Sequence, residues 1–145
     1  WVAVSSERIV GFCVGKQLSG AEFAALFPAV STGVLPLAVR DALRLDRLGM
    51  IPEIAVAPGA QERGVGHQLA KATINALRAA GSSAIMIPAW RVEGRLAAQG
   101  LLDAFDCRKF TEAKGYWKAE CLAGHFQCKA KRGRSCRCDL VLFHV

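Results

Sequence analysis

The residues Gln61-Glu62-Arg63-Gly64-Val65-Gly66 stand between a β-prone run ending near Val56 and a long amphipathic stretch. Their types suit the capture of an anion. Two glycines permit close backbone approach and left-handed dihedrals, and the first turn of a helix presents unpaired N–H groups at the positive end of its dipole. A pyrophosphate is the group such a turn would hold. A Gly-x-Gly at a helix start also serves as a plain turn, and the residues alone leave both readings open. The loop lacks the Lys-Ser/Thr ending of a P-loop and the three glycines of the dinucleotide fingerprint, so it is neither of those nucleotide sites. A second concentration of reactive side chains lies near the C-terminus. Cys121, Cys128, Cys136 and Cys138 fall within 18 residues there, whereas Cys13 and Cys107 are isolated.

The elements that must position these residues can be read from periodicity and turn signals. Two β-rich runs around Ser5-Ser6-Glu7-Arg8 predict an antiparallel hairpin over residues 2–15. Ser19 is placed to cap a short helix over 21–27 ended by Pro28, and residues 37–48 predict a second helix with Arg40, Arg44 and Arg47 facing water. Residues 51–56 form a strand closed by Pro58-Gly59. Val65, Leu69, Ala72, Ala76, Leu77 and Ala80 recur at helical spacing over 64–80, with Gly81 suited to the C-terminal cap. Strands follow at 84–87, 110–117 and 140–143, with a helix at 96–105.

Composition bounds what such a chain can be. At 145 residues and 15.5 kDa, with 52% hydrophobic and 21% charged residues, it fits one folding unit and is neither disordered nor collagen-like. No apolar run approaches the roughly 20 residues of a membrane span, so a membrane partner is not expected. The start at Trp1 leads us to expect further residues upstream. An ordinary apolar content needs no covalent staples, and a reducing, cytoplasmic setting is expected for the cysteines. Residues 108–137 carry nine bases against two acids, which leaves the rest of the chain neutral. That segment would attract a nucleic acid, an acidic protein or a phosphorylated cofactor, or serve as a solvated face.

The run from Ile54-Ala55-Val56 through Pro58-Gly59-Ala60 to Gln61-Glu62-Arg63-Gly64-Val65-Gly66-His67-Gln68-Leu69 resembles the acetyl-CoA-binding motif of the GNAT superfamily of N-acetyltransferases. That pattern is a strand, a short loop, Gln/Arg-x-x-Gly-x-Gly/Ala and an amphipathic helix. The hairpin with Ile9-Val10-Gly11-Phe12 resembles the family's second and third strands, and residues 84–90 its fifth. The resemblance implies an α/β (α+β) fold whose mixed, mostly antiparallel sheet is flanked by helices. It also implies one domain over residues 1–145, lacking the family's first strand and helices. Backbone N–H groups of Gln61, Glu62, Arg63, Gly64, Val65, Gly66 and His67 would hold the pyrophosphate of acetyl-CoA, and the strand at Ile54 and Val56 would pair with the pantetheine amides. Direct acetyl transfer to an amine needs a base, often acting through water, and an acid for the leaving thiolate. Glu53 is the acidic residue best placed as the base, although a solvated carboxylate at that place reads equally well. The family often takes its acid from a Tyr in the helix before the last strand pair. Residues 96–105 contain none, and Tyr116 lies later.

Gly115-Tyr116-Trp117-Lys118, Cys128-x7-Cys136-Arg137-Cys138 and the final strand resemble a GNAT subgroup with a Cys-rich insertion between its last two strands. In that subgroup the cysteines read Cys-x2-Cys-x4-Cys-x-Cys, and here Lys131 stands at the second position. An intact set would hold zinc in four thiolates. With one ligand lost, Cys121, His125 or His144 is the candidate replacement, and a loop of reduced thiols is the favoured expectation, so no metal ligand is assigned. The expected activity is acetyl transfer from acetyl-CoA to a small-molecule or peptide amine. The rival is a non-catalytic binding module on this fold, its basic loop (Lys129, Lys131, Arg132, Arg134, Arg137) engaging nucleic acid or an acidic protein. Only Phe126 could stack on bases there, which disfavours nucleic acid. A homodimer is compatible with the sequence.

Overall fold

Polar residues at Ser6 and Glu7, both with positive φ (47° and 63°), turn the chain between β1 (Val2–Ser5) and β2 (Arg8–Leu18). The twist of such a turn matches that of paired strands. The computed structural model describes residues 1–124, 136 and 138–145. Ser19 caps α1 (Gly20–Leu26) in a reciprocal box with Glu22, whose carboxylate accepts from the Ser19 backbone N–H at 2.9 Å. α2 (Leu37–Arg44) leads into β3 (Leu48–Val56), and the long α3 (Val65–Ala79) leads into β4 (Ala84–Val92). The rest of the described chain comprises β5 (Arg95–Leu96), α4 (Gln99–Ala104), β6 (Arg108–Ala113), α5 (Lys118–Leu122) and β7 (Asp139–His144).

The strands form one sheet in the order β1-β2-β3-β4-β7-β6, with β5 against β4. Only β3 and β4 run parallel. Alternation along the strands sends side chains into two cores. Leu18, Leu48, Met50, Met86, Leu140 and Leu142 meet α1 and α2 through Phe23, Phe27, Val39 and Leu43. On the other face Cys13, Ile51, Ile85, Ile87, Val141 and Phe143 meet α3 and α4 through Leu69, Ile74, Leu77 and Leu102.

Several boundaries depart from the expectation. The helix predicted over 37–48 stops at Arg44, because Asp46 takes a left-handed φ of 53° and the Arg47 N–H turns back to the Ala42 carbonyl. That frees Leu48 to begin β3. β4 runs five residues past Ile87 and carries Pro88. The helix predicted over 96–105 begins only at Gln99, since residues 93–94 turn the chain with φ of 48° and 79° and pair β5 with the end of β4. β6 ends at Ala113, and Tyr116 and Trp117 lie in a turn before α5, which the sequence reading did not contain.

Candidate functional site

β3 and β4 are joined only at Leu48↔Ala84, Gly49↔Ile85 and Met50↔Met86. Beyond that point the parallel ladder stops and the two strands continue as separate arms to Val56 and Val92. Each arm is six residues long, about 20 Å at strand rise. The cause on the β3 side is a bulge. Glu53 pairs with Val14 and Met50 with Lys16, so Ile51 and Pro52 together oppose Gly15. Proline, which donates nothing to a ladder, is tolerated at such a place. The extra residue reverses the alternation: Ile51, Ile54 and Val56 all face α3, which leaves Glu53 and Ala55 on the opposite side of the sheet. Glu53 is exposed.

At the outer end of the β3 arm, Gln61 acts as a bracket. Its side-chain amide donates to the Val56 carbonyl at 2.9 Å, and its backbone N–H donates to Pro58. Glu62 and Gly64 then take left-handed φ values of 61° and 77°. Gly64 is the N-terminal cap of α3 and supplies no side-chain bond. The first carbonyl of the ladder belongs to Gly64 and accepts from Gln68 at 3.0 Å. Among the described residues, no backbone N–H from 62 to 67 donates to another backbone group. These donors, at the positive end of a 15-residue helix, can hold an anion. A Cβ on Gly64 would touch nothing within 4 Å, and one on Gly66 would meet only Val56 Cγ2 at 3.6 Å. The protein itself therefore leaves the space above the turn open. Of the expected donor set, Gln61 is spent on the loop's own structure, and His67 stacks its ring on Phe105 with centroids 4.6 Å apart.

On the β4 arm, alternation from Met86 puts Trp90 on the same side of the sheet as Glu53. Trp90 lies 4.9 Å from Trp117, and Trp117 packs edge-on against Tyr116 at 5.1 Å. The Tyr116 hydroxyl donates to the Leu26 carbonyl at the end of α1. Burial, and then the nearby Glu120, raise its pKa, so the phenol keeps its proton. On the opposite side of the sheet, Arg91 donates to Asp139 (2.9 Å) and Glu112 (3.0 Å). Asp139 in turn accepts the Gly115 N–H at 2.9 Å. This network fixes the turn that presents Tyr116 and Trp117. The sequence reading missed it because its members lie on three strands far apart in the chain.

Cys121, Cys136 and Cys138 are buried together against Val92 and Trp117. Cys128 and His125, the other expected participants, lie outside the described residues, as do Lys129, Lys131, Arg132, Arg134 and Arg137. His144 is excluded as a replacement ligand, since it sits six residues along β7 from Cys138, about 20 Å away, and faces Phe110. Among the described residues, no three His, Cys, Asp or Glu side chains are grouped to hold a metal. Burial raises the thiol pKa of Cys13, and burial followed by Asp106 and Asp103 raises that of Cys107 to about 11. Neither thiol is a nucleophile at neutral pH. No helix among the described residues is long and apolar enough to cross a membrane.

A strand pair that parts into two arms, with a helix start of unpaired N–H groups at the end of one arm, is the arrangement of a class of coenzyme-binding α/β folds. Within that class, the model of the Acetyltransferase (GNAT) family matches residues 1–105, and the chain belongs to that family. Solved structures share the fold at low identity. The Bacillus subtilis acetyltransferase in complex with CoA gives a TM-score of 0.62 at 17% identity over 99% of this chain and 73% of that one. A GNAT family acetyltransferase from Elizabethkingia anophelis with acetyl-CoA bound gives 0.59 at 18% over 99% and 72%. Chaetomium thermophilum Naa20 in complex with a bisubstrate analogue gives 0.65 at 19% over 98% and 63%. For other members of the fold the chain spans only 60–66% of their length. No curated protein sequence matches the chain.

Proposed function

We propose that the protein is an acetyl-CoA-dependent N-acetyltransferase acting on a small-molecule or peptide amine. The observation that carries this reading is the coincidence of two features on β3: an arm without a partner on its β4 side, and unpaired N–H groups from 62 to 67 at its end. The N–H groups would hold the pyrophosphate, and Ile54 and Val56 on the open arm would pair with the pantetheine amides. Acetyl-CoA supplies the activated acyl group.

The chain's own residues then have separate tasks. Glu53, on the side of the sheet away from α3, takes the proton of the acceptor amine, directly or through water. Trp90 and Trp117 wall the other arm on that same side and shape the approach of the acceptor. Tyr116 is engaged with Leu26, and α4 holds no tyrosine, so on this reading the leaving thiolate is protonated by solvent. The packing of Cys121 on Cys136 and Cys138 supports placing the chain in the Cys-rich subgroup. A cytoplasmic enzyme fits the free thiols of Cys13 and Cys107.

A thermal-shift titration with acetyl-CoA, beside CoA and ATP, tests this, because only a ligand of the folded state raises the midpoint. Acetyl-CoA and CoA should raise it and ATP should do so less. Gly66→Val should abolish the shift, since its side chain would occupy the space of the phosphates. Glu53→Gln should lower turnover while keeping the shift. Unchanged binding by Gly66→Val would move the site elsewhere.

A further inference from the structure

Between α1 and α2, on the side of the sheet away from α3, lies a cavity of about 330 Å³. Phe23, Phe27, Leu35 and Leu43 form its apolar interior and are themselves buried, with 2–8% of their surfaces exposed. The Phe23 and Phe27 rings stand 5.3 Å apart, tilted by 50°. Arg40 and Arg44 also line it, and both are exposed, so they stand at its rim.

Two arginines four residues apart on one helix face repel each other, and such a pair costs a short helix stability unless an anion sits between them. No salt bridge among the described residues involves either one. The nearest carboxylate on α1, Glu22, is committed to Ser19. The rim therefore carries two guanidinium groups that make no ion pair among the described residues, over an apolar, ring-lined hollow. A planar guanidinium matches a carboxylate through paired N–H donors.

We infer that this cavity is a binding site for a small apolar carboxylate, whose hydrocarbon or aryl body fills the space between Phe23, Phe27, Leu35 and Leu43 and whose carboxylate lies between Arg40 and Arg44. The site is separate from the helix start at Gly64 and does not depend on the acetyl-transfer reading.

The test is a calorimetric titration of the full chain with phenylbutyrate, phenylbutanol and phenylbutylamine, which share a body and differ in the head. Phenylbutyrate should bind at least about tenfold more tightly than the alcohol, the scale of one charge-assisted contact, and the amine more weakly still. The double variant Arg40→Gln with Arg44→Gln should lose about tenfold for phenylbutyrate, leave the alcohol unchanged and keep the acetyl-CoA midpoint shift of the parent. Ala24→Trp, which fills the cavity from its wall, should block all three. Equal affinity for the three heads would overturn the assignment, as would an unaffected double variant or no binding of phenylbutyrate.

Discussion

The two faces of the sheet are built on opposite principles. Against α3 the sheet offers glycines: a Cβ on Gly15 would stand 2.5 Å from Thr73 Cγ2, one on Gly11 3.1 Å from Leu69 Cδ1, and one on Gly49 3.0 Å from Ser82 Oγ in the turn after the helix. The helix lies almost on the backbone. Against α1 and α2 the contact is made by large side chains, Phe23 and Phe27 foremost, and they leave a cavity. Gly20 on that side has nothing near its Cβ position. The face that positions the start of α3 is fixed by backbone approach, which tolerates little variation. The face with side-chain contacts can be rebuilt around what it holds.

Truncation and enlargement should therefore act oppositely on the two faces. Phe23→Ala, at a site only 2% exposed, should cost about 3–5 kcal/mol in urea denaturation, because the new hole joins a cavity that cannot collapse. Gly15→Ala should cost about 1–3 kcal/mol, since Thr73 is β-branched and cannot turn its methyl away freely. Thr73 is held further by its hydroxyl's bond to the Leu69 carbonyl. Ala24→Leu on the cavity wall should change stability by less than about 0.5 kcal/mol. Equal costs for Gly15→Ala and Ala24→Leu would erase the distinction between the faces.

The same contrast decided what could be read from sequence. The α3 helix, its Gly64 start and its Gly81 end follow from signals within 20 residues, and the structure returns them with Gly81 at φ 93°. The Ser19 cap was equally local. Gly15 and Gly49 were illegible as packing residues, because the atoms they make room for belong to α3 and to the turn after it. The apolar run 84–87 marks only the first part of β4, whose ladder to β7 continues through Pro88↔Leu142 to Arg91↔Asp139. The Glu93-Gly94 turn was a missed local signal, for a polar residue before glycine marks a tight hairpin.

Acid should loosen the network across β4, β6 and β7. Arg91, and after it Lys109, hold the Glu112 carboxyl down to about 2, from an ordinary 4.5. A carboxyl depressed in the folded state stabilises fully above its unfolded pKa and loses that contribution as pH falls through the folded one. The parent should therefore lose stability from about pH 5 toward pH 2, and Glu112→Gln should show a shallower decline over that window. Melting midpoints across the acid range check this. Parallel declines for parent and variant would detach Glu112 from the acid response.

A modest effect is expected at the hydrogen bond that ties α1 to the turn before α5. Tyr116 donates its hydroxyl to the Leu26 carbonyl and so fastens the end of α1 to the turn carrying Trp117 against Trp90. Its surroundings are only partly buried, so Tyr116→Phe keeps the ring packing and loses a single hydrogen bond, about 0.5–1.5 kcal/mol. Because that hydroxyl is spent on Leu26 rather than aimed at the β3 arm, acetyl transfer should keep its turnover and its pH profile in the variant. Denaturation midpoints and pH-rate profiles measured side by side separate the two roles. A fall in turnover at unchanged stability would make the hydroxyl an acid in the reaction, and α1 would then be anchored by the Phe23 and Phe27 rings alone.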